Sequence, residues 1–381
     1  MNVERDIAGF ALPFVAGVLI TAYAGATFCA QSSLVHFTSL LVIFCSVMLL
    51  LQRRKHDFRP YIIWALISAG ALGCGVLSAA TAICLIDTPQ SGLEAFCLNV
   101  GLGLQGMVDA IPFESEETSA MIKALLTGER GDLSTDIKNA FRDSGASHIL
   151  ALSGLHLGII YGILSKTLAL LGNSRTMRVV RSLVIICICG IYTLATGAGD
   201  SLVRALIFIS LREIAKASCR YHGLGEILMA SLIIQLVFDP LAIRSVSFQL
   251  SYAAMAGIAF VYPWLEGFWD RAASMSPVGQ VTNEAGLMLN KGTRWIWNTA
   301  ALSIACQLTT GPLAYIYFGT LPKYFIITNL LTLPLTGILI PTALLTLALS
   351  TLGCCPLFLV QIAEWLTSSL IWMMEVISTI D

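Results

Sequence analysis

The stretch Phe141-Arg142-Asp143-Ser144-Gly145-Ala146-Ser147-His148-Ile149-Leu150-Ala151-Leu152-Ser153-Gly154-Leu155-His156-Leu157-Gly158-Ile159-Ile160-Tyr161-Gly162 decides how the chain is read. It begins with charged and turn-forming residues and passes directly into an apolar run, 148–171, long enough to cross a bilayer at about 20 residues per span. Further runs of this kind fall near 7–29, 34–52, 61–86, 182–197, 201–216, 223–238, 245–262, 295–318, 324–350 and 356–378. The composition agrees. Hydrophobic residues make up 56% of the 381, charged residues 12%, and the mean hydropathy is +0.81. Soluble domains carry about 25% charged residues. These values exclude a disordered chain, a coiled coil and an ordinary soluble enzyme. They predict an all-α polytopic membrane bundle of about nine to eleven transmembrane helices, with amphipathic helices at the interface.

The runs at 182–197 and 201–216 are short and read as tilted, broken or re-entrant. The 324–350 run holds Pro334 and Pro341 and reads as a broken helix. The first run does not read as a cleavable signal peptide, because Glu4 and Asp6 weaken its basic start and other spans follow it.

Basic residues orient the bundle. Arg53, Arg54, Lys55 and Arg59 follow the second run, which places that loop and the N-terminus in the cytoplasm. Arg175, Arg178 and Arg181, then Arg212, Lys216 and Arg220, then Arg271, Lys291 and Arg294 fall in later inner loops, the last of them spanning 263–294. Residues 87–119 hold six acidic residues and no basic one, and so lie outside. The last three runs carry too few charges to orient. Three segments result: 1–86 with three spans, 87–147 as an extracytoplasmic linker with amphipathic helices, and 148–381 as the main transmembrane domain. Within the linker, Leu104, Met107, Val108 and Ile111 share one helical face. A second helix is predicted over 118–127, and a third capped by Ser134 and carrying Phe141.

The eleven cysteines sit mostly in apolar runs, where they act as small hydrophobes, and they form no disulfide framework. The five histidines form no metal motif. No cofactor is assigned. The net charge of −1 gives no bulk argument for nucleic acid.

Polar constellations inside the runs carry the candidate chemistry. Gly154, Gly158 and Gly162 form a stripe that would let another helix approach closely. Read as one helix, the same run puts His148, Ser153 and His156 on one polar face, since eight residues amount to about 80° at 100° per residue. These groups either join helices by hydrogen bonds or serve a site. A Ser–His hydrolase is the weakest reading, because both residues lie on one helix with no acidic partner nearby. In Thr196-Gly197-Ala198-Gly199-Asp200-Ser201-Leu202-Val203-Arg204-Ala205, the glycines break one helix and the next begins at Asp200. Asp200 and Arg204 are spaced to pair on one face. An arginine within a membrane bundle marks a neutralised ion pair or an anion contact at a helix break. Gln249, among Phe248 and Tyr252, and Gln307, Pro312, Asn329 and Pro334 further on, are weaker polar signals.

Taken in order, these motifs resemble the transmembrane competence domain of the ComEC family. The resemblance rests on Leu126–Asp132, Phe141–His156, Ser201–Ala205, Phe248–Tyr252, Gln307–Pro312 and Asn329–Pro334, and spans roughly residues 100–350. It implies a multi-pass protein of the bacterial cytoplasmic membrane that takes up single-stranded DNA in natural transformation. His148, Ser153, His156, Asp200, Arg204, Phe248, Gln249, Tyr252, Gln307 and Asn329 would then line the path or support it. Arg204 would meet phosphates, and Phe248 or Tyr252 would offer a stacking face. The family's OB-fold insert and its metallo-β-lactamase-like domain have no counterpart in this sequence. A channel without nuclease chemistry is therefore expected, working with separate DNA-receptor, OB-fold or nuclease proteins. The alternative is a permease for another anionic or lipid-like solute.

Overall fold

The structure, a computed structural model, describes residues 3–24, 32–51, 60–84, 92–172, 174–218, 223–275, 284–319, 321 and 324–379. Among these there is no strand. The basic loop Arg53, Arg54, Lys55 and Arg59, and Arg220, lie outside the described residues. In chain order the helices are α1 (Val3–Ala24), α2 (Ser32–Leu51), α3 (Pro60–Cys84), α4 (Gly92–Asp109), α5 (Glu116–Thr127), α6 (Thr135–Asp143), α7 (Ser147–Leu150), α8 (Gly154–Ala169), α9 (Arg175–Ala195), α10 (Asp200–Ala217) and α11 (Leu224–Phe238). A 3₁₀ turn (Pro240–Arg244) leads to α12 (Val246–Ala256), a π segment (Gly257–Val261), α13 (Tyr262–Met275), α14 (Glu284–Phe318), α15 (Phe325–Thr351) and α16 (Leu357–Ser378). Five helical stretches are long and apolar enough to cross a membrane: Ile62–Ile83, Arg175–Ala195, Val246–Phe268, Phe325–Thr351 and Leu357–Ser378. Four shorter apolar helices accompany them: Ile7–Tyr23, Thr38–Val47, Gly154–Ala169 and Leu224–Phe238.

The chain divides into two compact units, and the division crosses the three segments read from the sequence. The first comprises Met1–Gln90 and Ser210–Tyr252. Here α1 lies along α3, with α2 on the other side of α3 and α11 against α1. Lipid tails are as apolar as leucine, so close backbone packing must hold such helices together. Glycines provide it. A Cβ on Gly17 would collide with the carbonyl of Leu72, and one on Gly75 with the carbonyl of Phe14. Phe14, Val18, Ala22 and Ala79 fill the seam.

The second unit comprises Ser91–Ile209 and Ala253–Asp381. Its core joins the helices of the expected extracytoplasmic segment to the last two helices. Met121, Leu125 and Phe141 pack with Leu339, Leu366 and Leu370. Val108, Ile111, Ile122 and Leu126 pack with Ile340, Ala343 and Val360. The face of α4 read as interfacial thus turns Val108 to protein, as does Ile111 just beyond the helix end, while Met107 stays exposed. The other two helices follow the sequence closely. Ser115 and Ser134 cap α5 and α6 through Thr118 N–H and Ile137 N–H. Ser144 fixes this segment to the C-terminal pair. Its carbonyl accepts from Thr328 Oγ1 at 2.8 Å, and its hydroxyl reaches Met374 Sδ at 3.3 Å.

Several helices differ from the sequence reading. The 148–171 run is not one helix: α7 stops at Leu150, residues 151–153 are extended or irregular, and α8 starts at Gly154. Conversely, α15 runs unbroken through Pro334 and Pro341. Each proline removes one helical donor, but Thr328, Thr332, Thr336, Leu339, Ile340 and Ala343 are buried along the helix and hold it in place. Pro312 likewise sits inside the continuous α14. The expected inner loop 263–294 is largely helical, as α13 and the start of α14. The run at 182–197 extends back to Arg175, where Ser174 caps α9. The break at Gly197 and Ala198 is as read, with φ of 82° and 51°.

Candidate functional site

Within the second unit, the polar motifs meet at the start of α8. Ser153 is extended (φ −123°, ψ 168°) and its hydroxyl accepts from Leu155 N–H at 3.2 Å. His156, three residues on, returns its ring to the cap: Ser153 N–H donates to His156 Nδ1 at 3.3 Å, and Ser153 Oγ lies 3.2 Å from the same nitrogen. This reciprocal capping box replaces the shared helical face read from the sequence. His148 belongs to α7 and is exposed, its Nδ1 3.2 Å from Gly145 O. His156 is only 1% exposed, and its Nε2 meets no partner among the described residues. The Ser–His pair therefore forms a helix cap, half-buried at Ser153 and buried at His156.

The start of α8 touches α10. A Cβ on Gly154 would stand 3.3 Å from Ala205 Cβ, and Leu157 packs with Leu202 and Ile209. Arg204 directly precedes that contact and is 3% exposed. Its Nη2 donates to the Ser201 carbonyl at 3.2 Å and hydroxyl at 2.9 Å. Asp200 opens the same helix one turn earlier. The structure thus brings Ser153 and His156 together at the start of α8, and sets Ala205 of α10, next in sequence to Arg204, against Gly154. Gly158 and Gly162 do not join that contact: a Cβ on either meets nothing within 4 Å. The stripe makes one close contact, at its first glycine.

Asn329 lies on α15 and donates through Nδ2 to Ser303 Oγ on α14 at 3.2 Å, while its Oδ1 is buried without a partner among the described residues. Gln307 is half-buried on α14 beside Gly311. Gly257, in the π segment, packs its backbone against Ala305 of the same helix.

The remaining candidates belong to the first unit and form its core. Phe248 and Tyr252 are 3% and 9% exposed, with ring centroids 4.6 Å apart. They offer no free stacking face. Tyr252 Oη donates to Gln235 Oε1 at 3.2 Å. Gln249 Nε2 donates to Ile243 O at 2.8 Å and to Tyr23 Oη at 3.1 Å. Tyr23, which Gln249 meets, is itself exposed, with the Arg244 guanidinium 5.8 Å over its ring. The sequence reading missed this pair, since 221 residues separate them and neither stands in a motif.

Sequence reasoning also missed Lys123. It bridges Asp109 at 2.6 Å and Asp132 at 2.7 Å with its side chain 12% exposed, and those hydrogen bonds, Asp109 first, hold its ammonium pKa above the ordinary lysine value. A cleft of about 200 Å³ at the start of α5 is lined by Glu117, Glu375 and Trp372, so its charge disfavours anions. Among the described residues no cluster suits a metal ion.

The competence protein family model matches residues 125–381, more than half of the chain. The chain belongs to the competence protein family. The match includes the capping box, Arg204, Phe248–Tyr252 and Asn329, and with the apolar helices it makes the chain a multi-pass membrane protein. Within the family, the uncharacterized protein YcaI of Escherichia coli (strain K12) is 27% identical over 64% of this chain and 30% of its own length. ComE operon protein 3 of Bacillus subtilis (strain 168) is 28% identical over 36% of this chain and 17% of its own. An uncharacterized protein of Aquifex aeolicus (strain VF5) is 28% identical over 55% of this chain and 48% of its own. The chain thus spans less than half the length of each of these relatives. No solved structure matches it.

Proposed function

We propose that this competence-family chain forms a membrane passage for single-stranded DNA in natural transformation. The observation that carries the reading is the family match across residues 125–381. The buried arginine at a helix break within that match fits it, because a charge held inside a membrane bundle is costly and is retained where an ion or substrate passes. In this reading the chain is a channel without a catalytic step of its own. It sits in the bacterial cytoplasmic membrane with its N-terminus in the cytoplasm, and separate DNA-receptor, OB-fold or nuclease proteins deliver or process the strand. With a net charge of −1 and 22 basic residues in 381, the strand would be guided at single points rather than along a charged groove.

The test is transformation efficiency in a strain lacking this protein and any second copy. Loss of uptake, restored by the wild-type chain but not by Arg204→Ala or His156→Ala at equal membrane level, supports the reading. Normal uptake in the deletion strain overturns it.

A further inference from the structure

His156 has one nitrogen in the cap and one outside it. Ser153 contributes a backbone N–H to Nδ1 at 3.3 Å. A backbone N–H can only donate, so Nδ1 accepts, and the ring proton of the neutral imidazole resides on Nε2. That N–H is a donor on a residue 1% exposed, with no acceptor among the described residues. Buried donors are almost always satisfied, and one left open calls for a partner from outside the chain. The capping box fixes the ring, so this donor is held at the start of α8 in one orientation and one tautomer.

The place of this donor favours a negatively charged partner. It stands at the N-terminus of α8, a 16-residue helix whose positive dipole end lies inside the bundle, at the break after α7. A single neutral donor beside a helix end holds an anion weakly. Weak holding is what passage requires, since an ion bound too tightly does not leave.

The geometry points to a single anionic-oxygen station at the α7–α8 break, in which His156 Nε2–H donates to a phosphodiester oxygen and Ser153 acts as the positioning residue that sets the tautomer. The choice of a phosphodiester rests on the uptake reading above. The donor and its tautomer do not.

The experiment uses the full chain in nanodiscs with ¹⁵N-labelled histidine, five in all, and His156 assigned by its loss in His156→Gln. The probe is dimethyl phosphate, a monoanionic phosphodiester without bases, with neutral trimethyl phosphate beside it. The expected result is a protonated Nε2 and bare Nδ1 at neutral pH, and a saturable shift of the Nε2–H resonance with dimethyl phosphate only. Binding should weaken roughly tenfold in His156→Phe and much less in His156→Gln, which keeps a donor. A protonated Nδ1, a resonance indifferent to dimethyl phosphate, or equal response to trimethyl phosphate overturns the station. The wild-type titration decides the matter even where a variant does not fold. The two readings separate cleanly. A dimethyl phosphate response with normal transformation in the deletion strain keeps the station and removes DNA uptake. Lost transformation without that response does the reverse.

Discussion

Two sets of glycines in this protein look alike in sequence and differ in what they do. Gly154, Gly158 and Gly162 stand four apart on α8, the spacing that marks helix association in membranes, yet two of the three face open space. Gly17 on α1 and Gly75 on α3 belong to no run of glycines four apart, although Ala71 and Ala79 flank Gly75 at that spacing, and each removes a backbone collision with the other helix. Spacing shows only that a smooth face is available. Whether a partner backbone occupies it depends on where the neighbouring helix lies, which no single helix encodes.

Substituting alanine along this series breaks or sharpens the contrast. Gly75→Ala forces a methyl into the Phe14 carbonyl. It should cost about 3 kcal/mol, the upper end for overpacking, because backbone must move, measured by unfolding in detergent with rising SDS. An unchanged midpoint would remove the close α1–α3 seam. Gly257→Ala meets Ala305 O at 2.5 Å and Thr309 Oγ1 at 2.6 Å. A loss of about 2 kcal/mol is expected there, since the hydroxyl can rotate away but the carbonyl cannot. Gly154→Ala meets only Ala205 Cβ at 3.3 Å, and the loss should be about 0.5 kcal/mol. Gly158→Ala should cost nothing and gain a few tenths of a kcal/mol from the better helix former; a clear loss of stability would show that the stripe does pack.

The bundle's helices were readable because apolar runs of spanning length leave few other structures open to them. The runs at 223–238 and 356–378 match α11 and α16 within a residue or two. The caps at Ser134 and the glycine break before Asp200 were also visible, since both use residues with local backbone preferences. The Ala151–Ser153 break was hidden, because Ala-Leu-Ser continues an apolar run and only Ser153 and His156 together make the cap. The two prolines of α15 misled in the opposite sense: burial of the threonine face outweighs the missing donors. Arg271 and Arg294 suggested an inner loop, while α13 and α14 carry helical structure well into it.

At the site, the residue types were legible and their roles were not. His156 and Arg204 were singled out from cost alone, as polar groups in an apolar setting. The approach of Gly154 to Ala205 depends on the packing of α8 against α10, which joins positions 51 residues apart. Phe248 and Tyr252 failed as an exposed stacking face because an aromatic pair in a membrane helix is as well suited to a core as to a ligand.

Ser144 carries one last consequence. It grips Thr328 in the first turn of α15 and Met374 in the last turn of α16. Those two helices therefore form a hairpin whose open end lies beside α6, which predicts that both ends face the aqueous compartment of residues 129–136. Reporter cysteines placed at 132 and at 378 should react together with a membrane-impermeant thiol reagent, and a cysteine at 353, in the turn of the hairpin, should be shielded until the membrane is opened.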